Sequence, residues 1–429
     1  MKGHLMTWTT ETLKHVSPVW PHYTPIIASR AEGCYIFDQQ GKPYLDFTCG
    51  IGVTNTGHCH PRVVEAIRKQ AGLLIHGQAN IVVHEPLLEL IDELRTIVHP
   101  TIDGFFFSNS GAEAIEGAMK LARHATGRSN IIVFQGSFHG RTVGTMSLTT
   151  SKTIYRVGYQ PLMPGVFVAP YPYAFRYGWE PERTSEWCLE ELDYLLTTQT
   201  APQETAAILV EPVLGEGGYV VPPVSFLRGL RQVCDQHGIL LIVDEIQSGF
   251  GRTGYWFAYE HFGIAPDIIT VAKGLASGLP ISGVFSRLEL MEKWIPGSHG
   301  GTFGGNAVAA AAGVATIQAM KAEQMLENAR QSGQQLMAGL RRLQEEHPQI
   351  ADVRGLGLMV GVEFRDAKGK PDKPTAKAVI QACLERQLIL LTCGPWDNTI
   401  RWIPPLVVSG EQIDQALGIF EESLHKLVG

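Results

Sequence analysis

Six short and almost continuously apolar segments follow one another in the middle of the chain, and they limit the fold more than any other feature. A strand that is covered on both faces has few polar positions, so these segments predict a mostly parallel sheet in an α/β domain. Helical patterns separate many of them, and GFFF (104–107) precedes a predicted helix over 111–126. In such sheets, ligands bind at the carboxyl ends of the strands. The six segments are NIIVF (130–134), GVFVA (165–169), AAILVEP (206–212), GILLIVDE (238–245), DIITVAK (267–273) and ISGVFS (281–286).

The remainder of the chain predicts a second, smaller domain. Residues 323–347 have the pattern of a long polar helix, 353–364 continue as a strand, and a last helix is expected after Gly410. Near the start, YIFDQQGKPYLDF (35–47) has the pattern of a hairpin. The length of 429 residues also favours more than one domain. The expected division is an N-terminal segment (1–55) that packs with the small domain, a large domain (56–322) and a small α+β domain (323–429).

Composition excludes several classes of protein. Hydrophobic residues make up 45% of the chain and charged residues 18%, so the chain can bury a core and is not intrinsically disordered. The formal net charge is −7 and there is no basic run, which argues against nucleic-acid binding and against an anionic membrane surface. No apolar run is long enough to span a bilayer, and the first residues lack the apolar core of a signal peptide.

The cysteines indicate a reducing compartment. There are seven, scattered along the chain and without a CxxC pair, so neither a disulfide framework nor a zinc knuckle is expected. The neighbours His58, Cys59 and His60 are interpreted as a turn, because adjacent side chains rarely converge on one ion. We therefore expect a cytoplasmic enzyme without a metal site.

Three polar clusters fall at the ends of predicted strands. Ser110 and Glu113 have the spacing of a capping box, so a helix should begin at Gly111 with free N–H groups that suit an anion. Asp244 ends a buried strand, where a carboxylate is costly unless a cationic or protonated group meets it. Lys273 ends another, where a lysine needs a partner or a covalent role. Each cluster alone has an ordinary structural explanation, namely a helix cap or an ion pair. Together they indicate a ligand.

Pyridoxal phosphate suits this combination. Its aldehyde needs an amine to form an imine, which Lys273 supplies. Its pyridine nitrogen needs a carboxylate to hold the proton, a role for Asp244. Its phosphate needs N–H groups and hydroxyls, which the helix start at Gly111 and the run GGTFGGN (300–306) provide. Phe138 is a candidate for the flat partner of the ring.

Longer strings in the same regions resemble the class III aminotransferases, which are fold-type I pyridoxal-phosphate enzymes. DEIQSGFGRTG (244–254) with a lysine 29 residues after its aspartate is highly specific, and the resemblance covers nearly the whole chain. Within the class, the strings resemble the 4-aminobutyrate aminotransferase subgroup most. The strings that carry this likeness are GIGV (50–53), FHGRT (138–142), VEPVLGEGG (210–218) and IRWIPPL (400–406).

The resemblance implies roles around the cofactor. Lys273 would form the imine and then move the proton between substrate and cofactor. Asp244 would hold the pyridinium, and Gln247 would hydrogen-bond the ring hydroxyl. The remaining contacts implied are Phe138 stacked on the ring with His139 beside it, Gly111 and Ala112 on the phosphate, and Thr302 reaching the phosphate from the partner of a homodimer or a dimer of dimers.

The resemblance also implies how two substrates share one pocket. Arg141 would hold the carboxylate far from the amine, of 4-aminobutyrate or of the glutamate side chain. Arg401 would take the α-carboxylate of glutamate. When 4-aminobutyrate is bound, Glu211 would pair with Arg401 instead, and Ile51 and Gln78 would line the same pocket.

Departures from the family pattern bear on the pocket. Ala112 stands where a hydroxyl residue is common, so phosphate binding would depend more on Thr302. Cys49 and Trp402 are larger than usual beside the pocket, and both are expected to reshape it. Trp8, Trp20 and Tyr23 are candidates to reach it from the N-terminal segment.

The reaction that these strings favour is amino transfer from an ω-amino acid to 2-oxoglutarate by a ping-pong mechanism. The alternatives with the same cofactor are ornithine, acetylornithine, 5-aminovalerate or ω-amine:pyruvate transamination. Decarboxylation of dialkylglycines is disfavoured because that family lacks the arginine at the position of Arg141. A non-enzymatic ligand sensor would not need Lys273, Asp244 and Gln247 together.

Overall fold

A computed structural model describes residues 10–428 of the chain. Three sheets carry the strands, and the helices pack around them. The strands are β1 Ala28–Glu32, β2 Tyr35–Asp38, β3 Pro43–Asp46, β4 Gly104–Ser108, β5 Asn130–Phe134, β6 Val166–Ala169, β7 Thr205–Val210, β8 Leu240–Asp244, β9 Ile268–Val271, β10 Ser282–Ser286, β11 Ile350–Leu356, β12 Met359–Phe364, β13 Leu388–Ile389, β14 Leu391–Cys393 and β15 Thr399–Trp402.

The helices lie between these strands and at both ends of the described chain. They are α1 Thr10–Leu13, α2 Cys49–Gly52, α3 Pro61–Ala71, α4 Glu85–Arg95, α5 Gly111–Thr126, α6 Val143–Leu148, α7 Ala174–Tyr177, α8 Pro181–Thr198, α9 Val224–His237, α10 Leu288–Met291, α11 Ala307–Ala322, α12 Met325–Glu346, α13 Lys373–Glu385 and α14 Gly410–Val428. No helix of the described residues is both long enough and apolar enough to cross a membrane.

The large sheet has the strand order β4-β10-β9-β8-β7-β5-β6. Strand β10 is antiparallel to both of its neighbours, and the pairs from β9 to β6 are all parallel. The predicted α/β architecture with a mostly parallel sheet is therefore confirmed. Fully buried strands β7, β8 and β9 form its centre, as their apolar sequences require.

Two smaller sheets complete the fold. One is antiparallel, in the order β11-β12-β15-β14. In the other, the hairpin β2–β3 expected near the start pairs with β1, and β3 also pairs in parallel with β13 from the C-terminal part. This pairing links the first segment to the end of the chain. The division at residues 55 and 322 stays a prediction.

One predicted strand is wrong. The segment 353–364 is not a single strand but the antiparallel pair β11 and β12. Gly357, between them, has a φ of +54°, and a Cβ there would lie 2.6 Å from the carbonyl carbon of Thr253. The apolar pattern continues through the turn because glycine lets the backbone reverse against a neighbouring loop.

Candidate active site

The carboxyl ends of the central strands bring the predicted acid and amine groups to one edge of the large sheet. Asp244 is the last residue of β8, Glu211 follows β7, and Lys273 comes two residues after the end of β9. Strands β8 and β9 are in register with Asp244 opposite Thr270. Helix α5 begins directly after β4 in the same sheet, so its N-terminus faces the same region.

The side-chain amine of Lys273 has an unusually low pKa. Its backbone is in the left-handed region with a φ of +40°, which turns the chain sharply away from β9. Among residues 10–428 its ammonium makes no hydrogen bond or ion pair. Burial and the positive charge of Arg401 together lower the pKa of Lys273 from 10.5 to about 8, against the opposing effect of the nearby acidic groups of Glu216, Asp244 and Glu211. A larger fraction of neutral amine is therefore present near neutral pH.

Asp244 is held by a histidine. Its Oδ2 lies 2.7 Å from Nδ1 of His139, and its Oδ1 accepts a hydrogen bond from the N–H of Ile246. Both side chains are buried. The Nε2 of His139 is buried without a partner among the described residues. The pair fixes a carboxylate at the strand end with its orientation set from two sides.

Gln247 supplies a second unsatisfied polar atom at this edge. Its Oε1 is buried and has no hydrogen-bond partner in the described part of the chain. A Cβ added to Gly215 would lie 3.0 Å from this oxygen, so the neighbouring loop is packed closely against it. A buried amide of this kind lacks a polar partner that a bound ligand could provide.

The start of α5 lines a cavity at this edge of the sheet. Ser110 and Glu113 make the predicted capping box: the serine hydroxyl accepts from the N–H of Glu113, whose Oε2 accepts from the N–H of Ser110. A Cβ on Gly111 would lie 2.9 Å from Cδ1 of Ile246, so only glycine fits this first turn without displacing that side chain. Gly111 and Ala112 line a cavity of about 440 Å³ together with Phe138, His139, Arg141 and Lys273.

A larger cavity of about 930 Å³ shares Arg141 with the first one. Arg141 stacks on two rings, with its Cζ 4.7 Å from the centre of Tyr155 and 5.8 Å from that of Phe138. It has no carboxylate partner among residues 10–428. Arg401 and Glu216 also line this cavity, and Tyr23 from the N-terminal segment closes one side. Two arginines that can receive carboxylates therefore border one space.

The structure corrects the expected partner of Arg401. Its Nη1 lies 2.5 Å from Oε1 of Glu216. Glu211 instead accepts hydrogen bonds from the N–H groups of Phe138 and Gly215, at 2.7 and 2.8 Å. Burial raises the pKa of Glu211 to about 7, whereas Arg401 and Lys273 overcome the effect of burial and lower that of Glu216. Glu216 stands in the same string, VEPVLGEGG, but the sequence alone did not select it.

Six predicted site residues are not among the residues that line the two cavities, namely Asp244, Glu211 and Gln247, described above, and Ile51, Gln78 and Thr302. Ile51 lies in the sharp turn of α2 with a φ of +67°. The Oε1 of Gln78 accepts a hydrogen bond from the N–H of Asn80. Thr302 is exposed on the loop before α11. The roles of Ile51, Gln78 and Thr302 stay predictions. Gln78 and Thr302 lie in surface segments of this chain and not in its two cavities.

The bulky residues expected to reshape the pocket point elsewhere. Trp402 is fully buried and packs edge-on against Phe47 and Phe420, because it alternates with Arg401 along β15. Cys49 is buried too, with its Sγ 3.5 Å from Nη2 of Arg252. The expected effect of Trp402 on the cavity is therefore wrong. Tyr23 does reach the larger cavity, Trp20 is exposed, and Trp8 lies outside the described residues.

Pyridoxal phosphate fits the residues present at this edge. An unpaired amine and a helix N-terminus line a single cavity. The fixed buried carboxylate contacts His139, which lines this cavity, and the unsatisfied amide oxygen belongs to the residue that follows Ile246, another lining residue. These groups match, in order, the aldehyde, the phosphate, the pyridine nitrogen and the ring hydroxyl.

The chain is similar to known proteins over nearly its whole length. The family model described as aminotransferase class-III matches residues 16–424. The chain is 41% identical over 406 residues to 4-aminobutyrate aminotransferase of Escherichia coli, covering 93% of each chain. It is 40% identical over 411 residues to 5-aminovalerate aminotransferase of Pseudomonas aeruginosa, covering 94% of each. A solved amine transaminase from an uncultivated Pseudomonas species, in its PLP-bound form, superposes with a TM-score of 0.89 at 27% identity, covering 99% of this chain and 100% of that one.

Proposed function

Because the chain belongs to the class III aminotransferases, we propose that it transfers the amino group of an ω-amino acid to 2-oxoglutarate in two half-reactions. The enzyme is an aminotransferase and depends on pyridoxal phosphate. The observation that carries the choice of substrates is the ion pair of Arg401 and Glu216 beside the unpaired Arg141 in one cavity. 4-Aminobutyrate and 5-aminovalerate, after which two relatives are named, are donors of this class.

The residues at the sheet edge have separate roles toward the cofactor. Bound pyridoxal phosphate stores the electrons and the amino group that pass between the two substrates. The amine of Lys273 would hold the cofactor and would carry the proton between donor and cofactor, for which its lowered pKa of about 8 is suited. Asp244, oriented by His139, would keep the ring nitrogen protonated. Gly111 and Ala112 would bind the phosphate through their N–H groups.

The arginines select the substrates by their carboxylates. Arg141 holds the distal carboxylate, which the ω-amino acid and 2-oxoglutarate have in common. The second carboxylate of 2-oxoglutarate binds Arg401 and displaces Glu216 from it. With an ω-amino acid bound, Glu216 returns to Arg401, so the arginine is never left buried without an anion. Glu211 then has a different role: its carboxylate holds the backbone of Phe138, whose side chain would contact the cofactor ring.

The proposed active unit is a homodimer in the cytoplasm. Two surface segments support the dimer. Residues 73–83 expose Leu73, Ile81 and Val83, and the loop before α11 exposes Phe303. The side chain of Asn306 donates to the carbonyl of Ile75, at 2.9 Å, so the segments form one apolar surface. Gln78 and Thr302 stand in it and would complete the partner's site.

The test is a spectral titration of the purified holoenzyme. Separate additions of 4-aminobutyrate, 5-aminovalerate and glutamate are expected to bleach the visible absorbance of the bound cofactor, and 2-oxoglutarate should restore it. Bleaching by ornithine or 1-phenylethylamine alone would assign another donor and contradict the proposal. Restoration by pyruvate but not by 2-oxoglutarate would contradict the proposed acceptor.

A further inference from the structure

We call the larger cavity of about 930 Å³, which contains Arg141 and Arg401, the substrate cavity. A third cavity, which no step of the proposed reaction uses, lies behind its wall. Its volume is about 270 Å³, near the lower end of cavities that bind small molecules. Ser151, Tyr171, Tyr173, Arg176, Gly217 and Trp396 contribute to its lining. We call it the Arg176 cavity. Its lining combines aromatic rings, one cation and, among its hydroxyls, one that has no hydrogen-bond partner within the described residues, the chemistry of a site for a small aromatic carboxylate.

The cation of this cavity has no anion. Arg176 is exposed, and its guanidinium makes neither a hydrogen bond nor an ion pair within the described part of the chain. It lies instead over two rings, with its Cζ 5.5 Å from the centre of Tyr177 and 5.8 Å from that of Trp396. A guanidinium stacked in this way keeps its edge, with its N–H donors, available for a planar carboxylate.

One hydroxyl of the lining, that of Ser151, also lacks a hydrogen-bond partner among the described residues. Ser151 is 3% exposed, and its Oγ is buried without a hydrogen-bond partner among residues 10–428. By contrast, the hydroxyl of Tyr171 donates to the carbonyl of Glu211, and that of Tyr173 donates to Glu363. The cavity therefore offers a ligand one buried polar contact, at Ser151, and one charged contact, at Arg176.

Three stretches of backbone separate this cavity from the substrate cavity. Ser151, Gly217 and Trp396 line the Arg176 cavity, while their neighbours Lys152, Glu216 and Asp397 line the substrate cavity. Lys152 and Asp397 form an ion pair, so two of these stretches are joined on the substrate side. The N–H of Gly394 donates to the carbonyl of Glu216, at 2.9 Å, which joins the third.

We propose that the Arg176 cavity binds a small aromatic carboxylate, with the carboxylate on Arg176, the ring among Tyr171, Tyr173 and Trp396, and a polar ring substituent on the hydroxyl of Ser151. The ligand contacts the backbone that carries Glu216, the partner of Arg401. The binding site itself does not depend on which amino donor the enzyme uses.

Calorimetric titration of the holoenzyme with 4-hydroxyphenylacetate tests the site. In the wild type this probe should bind with an event that Arg176→Gln weakens about tenfold or more, the effect expected for losing a charge-assisted hydrogen bond. Arg183→Gln is the matched control, because Arg183 is also exposed and stacks on a ring, that of Trp179, at 5.1 Å. It should leave binding unchanged. Equal affinity in the wild type and Arg176→Gln would overturn the proposal, and so would an equal loss in both variants.

Two further comparisons separate this cavity from the substrate arginines. 2-Phenylethanol has no charge and should bind the wild type more weakly than 4-hydroxyphenylacetate does. Its own affinity should be the same for the wild type and for Arg176→Gln. The preference for 4-hydroxyphenylacetate over phenylacetate should disappear in Ser151→Ala. A probe that binds only through Arg141 or Arg401 would be insensitive to both Arg176→Gln and Ser151→Ala, and that result would overturn the site while leaving the proposed transamination intact.

Discussion

Arg401 and Glu216 form a nearly buried ion pair in which Nη1 of the arginine lies 2.5 Å from Oε1 of the glutamate. The pair stands in the same cavity as Arg141, whose guanidinium has no carboxylate partner among the described residues. Breaking such a pair without a replacement is costly, because a buried charge is left uncompensated. A substrate with two carboxylates supplies the replacement for Glu216, and a substrate with one does not need it.

Arg401→Ala should therefore harm the glutamate half-reaction more than the 4-aminobutyrate half-reaction. We expect kcat/KM for glutamate to fall about 100-fold, since a buried charge pair with the α-carboxylate contributes on the order of 3 kcal/mol. The loss for 4-aminobutyrate should be about tenfold or less. Single-turnover kinetics of each half-reaction, followed by the absorbance of the cofactor, measure both values. Equal losses would contradict the exchange of partners at Arg401.

Glu216→Gln and Glu211→Gln distinguish the two glutamates of one motif. Without the charge of Glu216, glutamate no longer competes for Arg401, so its KM should fall while kcat/KM for 4-aminobutyrate falls about tenfold. Glu211→Gln leaves the pair of Arg401 and Glu216 in place and should change both half-reactions by a similar factor. The ratio of the two kcat/KM values is the measurement. A ratio altered by Glu211→Gln and not by Glu216→Gln would support the pairing of Glu211 with Arg401 that the resemblance implied.

The sequence does not show which of these two glutamates pairs with Arg401. Asp244 and Lys273 could be predicted because each stands at the carboxyl end of an apolar strand or just beyond it, and the carboxyl ends of neighbouring parallel strands meet at one edge. Glu211 also follows a strand, but its pairing with Arg401 was implied only by the resemblance to the family. Glu216 is selected by the path of a loop, closed by the bridge between Leu214 and Val220, and no periodicity encodes that path.

The fold was predictable for the same reason and within the same limit. The seven strands of the large sheet have apolar runs that fix their type and approximate bounds. The turn at Gly357 and the orientation of Trp402 were not predictable, because each depends on which distant backbone or ring packs there. Tyr155 was missed because it ends a 3-10 helix of three residues, Thr153–Tyr155, which is too short to have a recognisable periodicity, and only the folded chain brings its ring under Arg141.

Lys273→Ala should abolish transamination. The variant lacks the amine that binds the cofactor and moves the proton, so turnover should fall by at least about 10³-fold and the visible absorbance of the bound cofactor should be lost. Lys377→Ala is the control, because this exposed lysine lines the substrate cavity without reaching the sheet edge. It should retain activity and spectrum. Turnover retained in Lys273→Ala would remove the central assignment.

Phe303→Asp should convert a dimer to monomers and weaken cofactor binding. Phe303 is 59% exposed in the single chain, next to Thr302. A carboxylate placed inside an apolar interface is strongly unfavourable. Light scattering should show half the wild-type mass, and the dissociation constant for pyridoxal phosphate should rise about tenfold as the partner's threonine is lost. Tyr194→Asp, at an equally exposed ring on α8, should change neither. A Phe303→Asp variant that stays dimeric would exclude this surface.

The stability of the protein should depend on pH through Glu245. This carboxyl is 1% exposed and accepts hydrogen bonds from the hydroxyl of Ser248 and the N–H of Tyr259. Burial raises the pKa of Glu245 from 4.5 to about 7. Between these two values the folded state binds more protons than the unfolded state, so the free energy of unfolding falls as the pH rises. Above about pH 7 this group has no further effect.

Glu245→Gln removes this contribution because an amide does not ionise. The free energy of unfolding of the variant, minus that of the wild type, should increase by about 3 kcal/mol between pH 4.5 and pH 7.5. Urea unfolding of both holoenzymes at fixed protein concentration and several pH values measures this difference. Glu345→Gln, at an exposed glutamate on α12, should give a difference that is nearly constant with pH. A constant difference for Glu245→Gln as well would show that Glu245 ionises in the folded protein as readily as in the unfolded chain.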